Sequence, residues 1–378
     1  MTGPFVLAAG GTGGHIFPAE ALARALVARG ERVVLITDKR GQAFGDDLQD
    51  VETFRVRASR LQSGLMGKAR TAIELGLGYR QAMAILRRLR PAAVVGFGGY
   101  PSLPTVFAAS RLGLKILLHE QNAIVGRANR MLAGRAHRIA ISFPHVTGLG
   151  DADQAKMVLT GTPVRPPIVG VRDRSYEAPN GGEIRLLVLG GSQGARVFSE
   201  VVPAAIARLP DGLRQRLSIA QQARPEDLAQ AQAAYQAMGT KTELATFFTD
   251  VPERLAGCHL AITRAGASTC AELTVAGRPS ILVPYPYAAD DHQRANAANL
   301  VEAGAAWLLP QDGFTPEGLA DCLDNLLMLP ETLTKAAADA RLLGIVDAAD
   351  RLADVALSLA HGGGANGNHP PPAAEAAE

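Results

Sequence analysis

The sequence predicts an α/β protein of two similar domains, each organised around a parallel β-sheet. Three observations support this prediction. Short apolar runs alternate with longer segments of helical period, a glycine-rich motif recurs in the second half, and 378 residues suit two domains of ordinary size. Strands of four to six residues between helices are typical of βαβ units, in which neighbouring strands run parallel.

Ten apolar runs are the strand candidates, five in each half of the chain. Each is followed by a turn and then by a stretch with the period of a helix. In chain order the candidates are residues 5–9, 33–37, 93–96, 116–119, 139–142, 185–189, 217–220, 260–263, 280–284 and 306–309.

The glycine-rich motif marks the start of each half. Residues 7–15 resemble residues 187–196, so each half opens with a strand that ends in a glycine loop. Between the halves, a proline-rich stretch and a polar stretch place the boundary between residues 160 and 183. This predicts two Rossmann-like domains that face a cleft.

The domain limits follow from these boundaries. We expect an N-terminal domain over residues 1–162, a C-terminal domain over 163–345 and a terminal helix over 346–360. Residues 361–378 are rich in Gly, Pro, Ala and Glu and cannot bury a core, so we expect a disordered tail there.

Composition excludes several classes of protein. Lys and Arg (38) nearly balance Asp and Glu (36), and aromatic residues make up 5%, which argues against a nucleic-acid partner. The three cysteines form no group with metal-ligand spacing, so we expect no metal site and a reducing compartment. With no apolar run of 18 residues and no signal-peptide core, a cytoplasmic chain is expected.

Three glycine-rich turns follow strand candidates, at residues 10–14, 96–99 and 190–194. Such turns let backbone N–H groups at a helix N-terminus bind phosphate, although any strand-to-helix turn favours glycine. The first turn fails the dinucleotide fingerprint, because Ile16 stands where the third glycine should be. Phosphorylated ligands are therefore expected, and a nicotinamide oxidoreductase is disfavoured.

Two segments of the second half carry polar side chains suited to a sugar nucleotide. In residues 263–273, Glu272 can accept the hydroxyls of a ribose, while the alternative is a capping box with Ser268 or Thr269. Farther along, Gln293 and Asn296 share one helical face and suit sugar hydroxyls. The alternative for that segment is a solvated helix start.

Taken together, the motifs carry a resemblance to a known family. The sequence is similar to the MurG family of N-acetylglucosaminyltransferases from about residue 5 to residue 350, in six ordered motifs. These are Gly10-Gly11-Thr12-Gly13-Gly14-His15, Gly98-Gly99-Tyr100-Pro101-Ser102, His119-Glu120-Gln121-Asn122, Gly161-Thr162-Pro163-Val164-Arg165, Gly190-Gly191-Ser192-Gln193-Gly194-Ala195, and Arg264-Ala265-Gly266-Ala267 with Glu272.

The resemblance implies a GT-B fold with a deep interdomain cleft, and an inverting transfer that needs neither a cofactor nor a metal. N-acetylglucosamine would move from UDP-N-acetylglucosamine to the C4 hydroxyl of undecaprenyl-pyrophosphoryl-N-acetylmuramoyl-pentapeptide. The product would be the lipid-linked disaccharide precursor of peptidoglycan. The implied partners are these two substrates and other proteins of cell-wall synthesis.

The resemblance also assigns site residues. Ser192 would meet the donor's phosphate, Arg165 and the backbone at Phe248 its uracil, Gln293 and Asn296 its sugar. Residues for its phosphate and ribose would be Ala267, Ser268, Thr269, Cys270, Ala271 and Glu272. The N-terminal domain would contribute Thr12, Gly13, Gly14 and Asn122 to the donor, and Gly98, Gly99, Tyr100 and Glu120 to the acceptor.

His15 is the expected general base, because a histidine of ordinary pKa is largely neutral at cytoplasmic pH and this one follows the first glycine loop. The alternative is that His15 only donates to a phosphate or caps the turn. Glu120 is the second candidate for the base.

Residues 55–90 predict a membrane-facing surface. They carry nine basic residues and one acidic residue, a net charge of +8 in a chain of net charge +2. The apolar residues among them are Leu61, Leu65, Met66, Ile73, Leu75, Leu77 and Tyr79. Basic and apolar side chains together bind anionic bilayers, so we expect a peripheral protein at the cytoplasmic face of the inner membrane. The alternative is a helix that packs its apolar stripe inward.

Three rival functions remain at this stage. They are a UDP-N-acetylglucosamine 2-epimerase, a non-catalytic nucleotide-binding module and the disfavoured nicotinamide oxidoreductase.

Overall fold

Two parallel β-sheets organise the chain in the computed structural model, which describes residues 3–10, 13–39, 41, 44–45, 48–59, 64–191 and 194–362. The first sheet has seven strands and the second has six, each drawn from one half of the chain. Every strand pair in both sheets is parallel. The α/β class with two parallel sheets, predicted from the sequence, is confirmed.

The first sheet has the strand order β3-β2-β1-β4-β5-β6-β7. Its strands are β1 (Phe5–Ala8), β2 (Val33–Thr37), β3 (Glu52–Arg55), β4 (Ala93–Gly96), β5 (Ile116–Glu120), β6 (Arg138–Ile141) and β7 (Met157–Leu159). The accompanying helices are α1 (Gly13–Ala28), α2 (Leu65–Leu89), α3 (Gly99–Arg111), α4 (Arg127–Leu132) and α5 (Asp151–Gln154).

The second sheet has the order β10-β9-β8-β11-β12-β13. Its strands are β8 (Ile184–Leu189), β9 (Leu217–Gln222), β10 (Lys241–Ala245), β11 (Leu260–Thr263), β12 (Ser280–Leu282) and β13 (Ala306–Leu308). Its helices are α6 (Pro166–Val171), α7 (Arg196–Ile206), α8 (Asp211–Arg214), α9 (Leu228–Ala237), α10 (Val251–Gly257), α11 (Ala267–Ala276), α12 (His292–Glu302), α13 (Pro316–Leu327) and α14 (Pro330–Leu343).

Each sheet reverses its strand order beside its first strand. The reversal lies between β1 and β4 in the first sheet and between β8 and β11 in the second. Ligands of open parallel sheets bind outside the carboxyl ends of the strands at such points. The glycine turns after β1, β4 and β8, and the turn after β11, therefore lie where a ligand would bind.

All ten predicted strands are confirmed, and three further strands were not predicted. The three are β3, β7 and β10, and each lies at the edge of its sheet. Inner strands of a parallel sheet are buried on both faces and therefore read as continuous apolar runs. Edge strands are partly solvated, so β3 and β10 consist of exposed and partly buried residues and give no such run.

The last described helix, α15 (Ala348–His361), returns to the first sheet. Leu352, Ala353 and Ala356 are fully buried in one apolar cluster with Phe5 and Leu7 of β1. The chain therefore begins and ends its described part in the same core. The limits given above for the domains stay predictions, and most of the expected tail, from residue 363 on, lies outside the described residues.

Leu352→Ala should destabilise the protein by about 2–5 kcal/mol, because it empties a site whose leucine is 0% exposed. Urea unfolding, followed by circular dichroism, measures the change. Leu342→Ala is the matched control, since Leu342 is 71% exposed and should cost less than about 0.5 kcal/mol. Equal unfolding curves for the two variants would contradict the packing of α15 on the first sheet.

Candidate active site

Two neighbouring cavities open between the halves of the chain. The smaller has a volume of about 250 Å³ and is lined mainly by the first half, with Ala289, Asp290 and His292 from the second. The larger, of about 1110 Å³, is lined by both halves. Among the residues that the structure describes, four line both cavities: His15, Gln121, Asn122 and His292. These four therefore stand where the two cavities meet.

The smaller cavity contains every residue assigned to the acceptor. Gly98, Gly99, Tyr100 and Glu120 all line it, together with His15. Gly98 and Gly99 have positive φ angles of 81° and 69°, which favour glycine, and they begin α3. A helix N-terminus with exposed N–H groups thus borders this cavity.

The larger cavity contains most of the residues assigned to the donor. Those that line it are Gly14, Asn122, Arg165, Phe248, Ala267, Ser268, Thr269, Glu272 and Gln293. Cys270, Ala271 and Asn296 do not line it, and Thr12, Ser192 and the surroundings of Gly13 lie outside what the structure describes. Cys270 packs in the apolar core of the second half, and burial raises the pKa of its thiol to about 12.

Several cavity residues had no assigned role. They include Phe17, Gln121, Arg196, Arg224, Phe247, Arg264, Tyr285, His292 and Gln311. A signal for Gln121 and Arg224 existed in the sequence, since both follow closely on a predicted strand and so lie at the carboxyl edge of a sheet. Arg264, Tyr285 and Gln311 also follow closely on predicted strands. Phe17, Arg196, Phe247 and His292 come from helices and loops that only folding brings to the cleft.

His15 lies in the first turn of α1 and packs against Gly99. A Cβ atom at Gly99 would lie 3.3 Å from Cδ2 and 3.4 Å from Nε2 of the imidazole, so any larger residue would crowd the ring. Burial lowers the pKa of His15, and the negative charge of Glu120 opposes that shift. Its Nδ1 atom is buried without a hydrogen bond in the described structure.

Glu120 organises the loop beside His15. Its Oε1 accepts hydrogen bonds from the backbone N–H (3.0 Å) and side chain (3.3 Å) of Asn122. Its Oε2 accepts from the N–H of Gly126 (2.9 Å) and from Asn129 Nδ2 (2.9 Å). Four donors occupy the carboxylate, so its geometry suits holding the loop better than accepting a substrate proton.

A buried network lies behind His15. The Nε2–H group of His119 donates to the Gly161 carbonyl (3.1 Å), and Gln121 Nε2 donates to His119 Nδ1 (3.0 Å) and to the Phe97 carbonyl (3.1 Å). Burial lowers the pKa of His119 to about 4, so its ring is neutral at neutral pH. His119 therefore serves as a fixed hydrogen-bond partner.

Glu272 pairs with an arginine from the segment between the sheets. Arg165 donates to Glu272 Oε1 from Nε (3.2 Å) and from Nη2 (3.0 Å). Burial raises the pKa of Glu272, and the attraction of Arg165 opposes the shift. The capping-box alternative is wrong, because α11 begins at Ala267 after Gly266, which has no side chain to cap with.

The larger cavity has a cationic wall formed by Arg165, Arg196, Arg224 and Arg264. Arg264 donates to the carbonyls of Val283 and Pro284, both at 3.1 Å, and to Gln311 Oε1 at 2.7 Å. Guanidinium groups and helix N-termini are the usual partners of phosphate. The wall is therefore suited to a nucleoside diphosphate.

Hydrogen bonds join the two halves beside the cavities. Asn296, which is 0% exposed, accepts from the N–H of Ala123 (2.8 Å) and donates to Asn122 Oδ1 (3.2 Å) and to the Ala265 carbonyl (3.0 Å). Arg127 of the first half also pairs with Asp290 of the second at 3.3 Å. Two of the three hydrogen bonds of the Asn296 side chain thus join the halves, and the third holds it to its own half.

This arrangement defines a class of protein. Two Rossmann-like halves that share a cleft lined by glycine turns and arginines have the GT-B architecture that the resemblance implied. The chain matches the glycosyltransferase family 28 N-terminal domain over residues 5–141 and the glycosyltransferase family 28 C-terminal domain over residues 185–352.

Curated relatives narrow the class. The chain is 61% identical to a protein of Rhodospirillum centenum, over 94% of both chains, and 56% identical to one of Paramagnetospirillum magneticum, over 93% of this chain and 96% of that one. Both are named UDP-N-acetylglucosamine–N-acetylmuramyl-(pentapeptide) pyrophosphoryl-undecaprenol N-acetylglucosamine transferase. The crystal structure of Acinetobacter baumannii MurG is similar with a TM-score of 0.77 at 29% identity, covering 94% of this chain and 99% of that one. The chain belongs to glycosyltransferase family 28 and, within it, to the MurG family.

More distant structures share the fold alone. A glycosyltransferase of kitacinnamycin and a Listeria monocytogenes structure titled as a UDP-N-acetylglucosamine 2-epimerase both have TM-scores of 0.65, at 18% and 15% identity. The epimerase alternative is therefore not favoured. The relatives named above are transferases, which supports neither a non-catalytic module nor an oxidoreductase.

Asn296→Ala should lower the free energy of unfolding by roughly 2–4 kcal/mol, because it leaves the Ala123 N–H and the Ala265 carbonyl buried without partners. Urea unfolding measures this change. Asn299→Ala is the control on the same helix, since Asn299 donates only to the Ala295 carbonyl one turn away, and it should cost under about 1 kcal/mol. If the variant kept the wild-type stability but had a raised KM for the donor, the structural role of Asn296 would be contradicted. Asn296 would then act only as a contact to the donor's sugar.

Proposed function

We propose that this protein transfers N-acetylglucosamine from UDP-N-acetylglucosamine to the C4 hydroxyl of undecaprenyl-pyrophosphoryl-N-acetylmuramoyl-pentapeptide, with inversion at the anomeric carbon. The observation that carries the proposal is the position of His15 where a small cavity and a large one meet. A transferase needs two substrate sites that share one reacting centre. The names of the curated relatives supply the identity of the substrates.

In this proposal the larger cavity binds the donor. The diphosphate lies against Arg224 and Arg264 and the N-termini of α7 and α11, and the ribose hydroxyls bind the Glu272 carboxylate. Gln293, whose Oε1 accepts from the N–H of Tyr285 (2.9 Å), keeps its amide NH₂ for sugar hydroxyls. The same positive groups stabilise the departing UDP.

The smaller cavity binds the muramyl end of the acceptor. Backbone N–H groups at the start of α3 suit an anionic group of the acceptor, and Tyr100 and the loop held by Glu120 form the walls. An acceptor hydroxyl in this cavity approaches the anomeric carbon from the side opposite the UDP, as inversion requires.

His15 removes the proton of that hydroxyl. Because burial lowers the pKa of its imidazole below the ordinary 6.5, the neutral form that accepts a proton prevails at pH 7. Glu120, with four hydrogen bonds to its carboxylate, is assigned the positioning of the loop.

His15→Ala should lower kcat for acceptor-dependent UDP release at least about 100-fold, because the general base is lost. The KM for UDP-N-acetylglucosamine should change little. In the wild type, kcat should stay level above pH 6.5 and fall only at lower pH, where His15 becomes protonated. The assay uses a short-chain lipid-linked muramyl-pentapeptide.

His145→Ala is the matched control, since His145 is exposed and lines neither cavity. Acceptor-dependent release that survives in His15→Ala would contradict the base assignment and leave the transfer intact. Release of UDP without any acceptor would contradict the transfer itself and favour the epimerase or a hydrolase.

We also infer that the protein binds the cytoplasmic face of the inner membrane through residues 55–90. On α2, Met66, Ile73 and Leu77 are 87%, 63% and 37% exposed, among the exposed basic residues Lys68, Arg70 and Arg80. Basic and apolar side chains on one surface suit an anionic bilayer. In the described part of the chain, no helix is both long enough and apolar enough to cross a bilayer.

The inward-packing alternative applies to the second half of α2. There Ala82, Met83 and Leu86 are buried in the core of the first sheet, and Leu75 and Tyr79 are partly buried. Arg60, Leu61 and the side chain of Leu65 lie outside the described residues. The proposed membrane surface is therefore the first half of α2 and the arginines at its end.

Replacing Arg70, Arg80, Arg87 and Arg88 with Glu should lower the fraction of protein that floats with anionic vesicles at least about tenfold, since each basic residue near the surface contributes about 1 kcal/mol. Reversal of Arg174, Arg208, Arg214 and Lys241 in the second half makes an equal charge change as the control and should leave flotation intact. Equal flotation of both variants would contradict the surface proposed.

A further inference from the structure

The buried Nδ1 atom of His15 lacks a hydrogen bond, although the chemistry proposed for the ring requires one. A neutral imidazole carries one proton, and the partner of one nitrogen decides which nitrogen remains free to act as a base. Nε2 lies beside Gly99, at the wall of the smaller cavity, whereas Nδ1 points into the protein. The group that faces Nδ1 therefore determines whether Nε2 can accept a proton.

Gln121 has one amide orientation that satisfies its surroundings. Its Nε2 donates to the Phe97 carbonyl and to Nδ1 of His119, which uses both amide hydrogens. A flipped amide would put Oε1 against the Phe97 carbonyl, which cannot donate. The orientation of His119 is set in turn, because its Nε2–H donates to the Gly161 carbonyl.

The Oε1 atom of Gln121 takes no part in these hydrogen bonds and is available to groups that line the cleft. Gln121 is buried, yet it lines both cavities, as His15 does. Gln121, the Phe97 carbonyl and the negative charge of Glu120 all lie where they favour the protonated form of the His15 ring. Hydrogen bonds of this kind are often long before substrate binds and tighten afterwards.

We propose that Gln121 is a positioning residue that accepts the Nδ1–H of His15 through Oε1, and so leaves Nε2 unprotonated toward the acceptor hydroxyl. The inference rests on the proposed role of His15 as the base. No proton leaves Nδ1 in the reaction; the hydroxyl proton moves to Nε2, and the positive ring that forms is stabilised by Gln121 and Glu120. The buried row Gly161–His119–Gln121 keeps the accepting oxygen in place.

The first test reads the tautomer of His15 in the whole protein. Long-range ¹⁵N–¹H spectra of protein labelled at histidine nitrogens distinguish Nδ1–H from Nε2–H, and His15→Ala assigns the signal. The expected result at pH 8 is the Nδ1–H form for His15. An Nε2–H form in the wild type would overturn the proposal, and this measurement needs no variant of Gln121.

The second test removes the oxygen. Gln121→Leu should give a mixture of His15 tautomers and lower kcat at least tenfold, with an unchanged KM for UDP-N-acetylglucosamine. Gln222→Leu is the matched control: Gln222 is also a buried glutamine that donates to a backbone carbonyl, of Thr246, but it lines neither cavity. It should leave both the tautomer and kcat unchanged.

The outcomes separate the two proposals. In one outcome, His15→Ala abolishes turnover while Gln121→Leu keeps both the Nδ1–H form of His15 and the wild-type kcat. That result would support His15 as the base and overturn the role of Gln121, with the Phe97 carbonyl as the acceptor of the Nδ1–H instead. In the other outcome, Gln121→Leu alters the tautomer of His15 but His15→Ala retains turnover. That result would support the hydrogen bond between Gln121 and His15 and overturn the assignment of His15 as the base. Glu120 and His119, which interact electrostatically with His15, and His292, which lines the same cavity, remain unchanged in every variant.

Discussion

Two parallel sheets turn the carboxyl ends of their strands toward one cleft, and the rest of the site depends on that constraint. At each point where the strand order reverses, two neighbouring strands end in turns that open helices. His15 of α1 and the turn after β4 border the smaller cavity, and the turns after β8 and β11 border the larger. Because backbone N–H groups at helix starts bind anions without a charged side chain, this arrangement creates anion sites on both walls before any specific residue is considered.

Buried hydrogen bonds then fix the positions of the two halves relative to each other across the cleft. The Glu120 carboxylate fixes the loop that carries Asn122, and Asn122 is bonded to Asn296 of the opposite half. Removal of one partner from such a network leaves other polar groups buried and unpaired, which costs more than the bond itself contributes. Glu120 and Asn296 therefore matter to the shape of the cleft whether or not they touch a substrate.

Burial also sets the proton chemistry of the site. The same cause lowers the pKa of His15 and His119 and raises that of Glu272, and in each case a nearby charge or hydrogen bond opposes part of the shift. For the histidines the result is a neutral ring at neutral pH. A neutral ring can accept a substrate proton, as proposed for His15, or serve as a fixed hydrogen-bond partner, as His119 does. Gln121 donates to His119 and, in the proposal, accepts from His15, so its hydrogen bonds distinguish the two roles.

Local sequence determined the ten strands, because nine of them are inner strands, which are largely buried and therefore read as apolar runs. It also determined the glycine turns, because positive φ angles favour glycine. The ordered motifs were enough to indicate the family. Tertiary structure alone decided the three edge strands, the pairing of Glu272 with Arg165, the contacts of Asn296 and the orientation of Gln121. Each of these depends on residues far apart in the chain, such as Arg165 and Glu272, which are 107 positions apart, and a local pattern does not specify which distant group will face a side chain after folding.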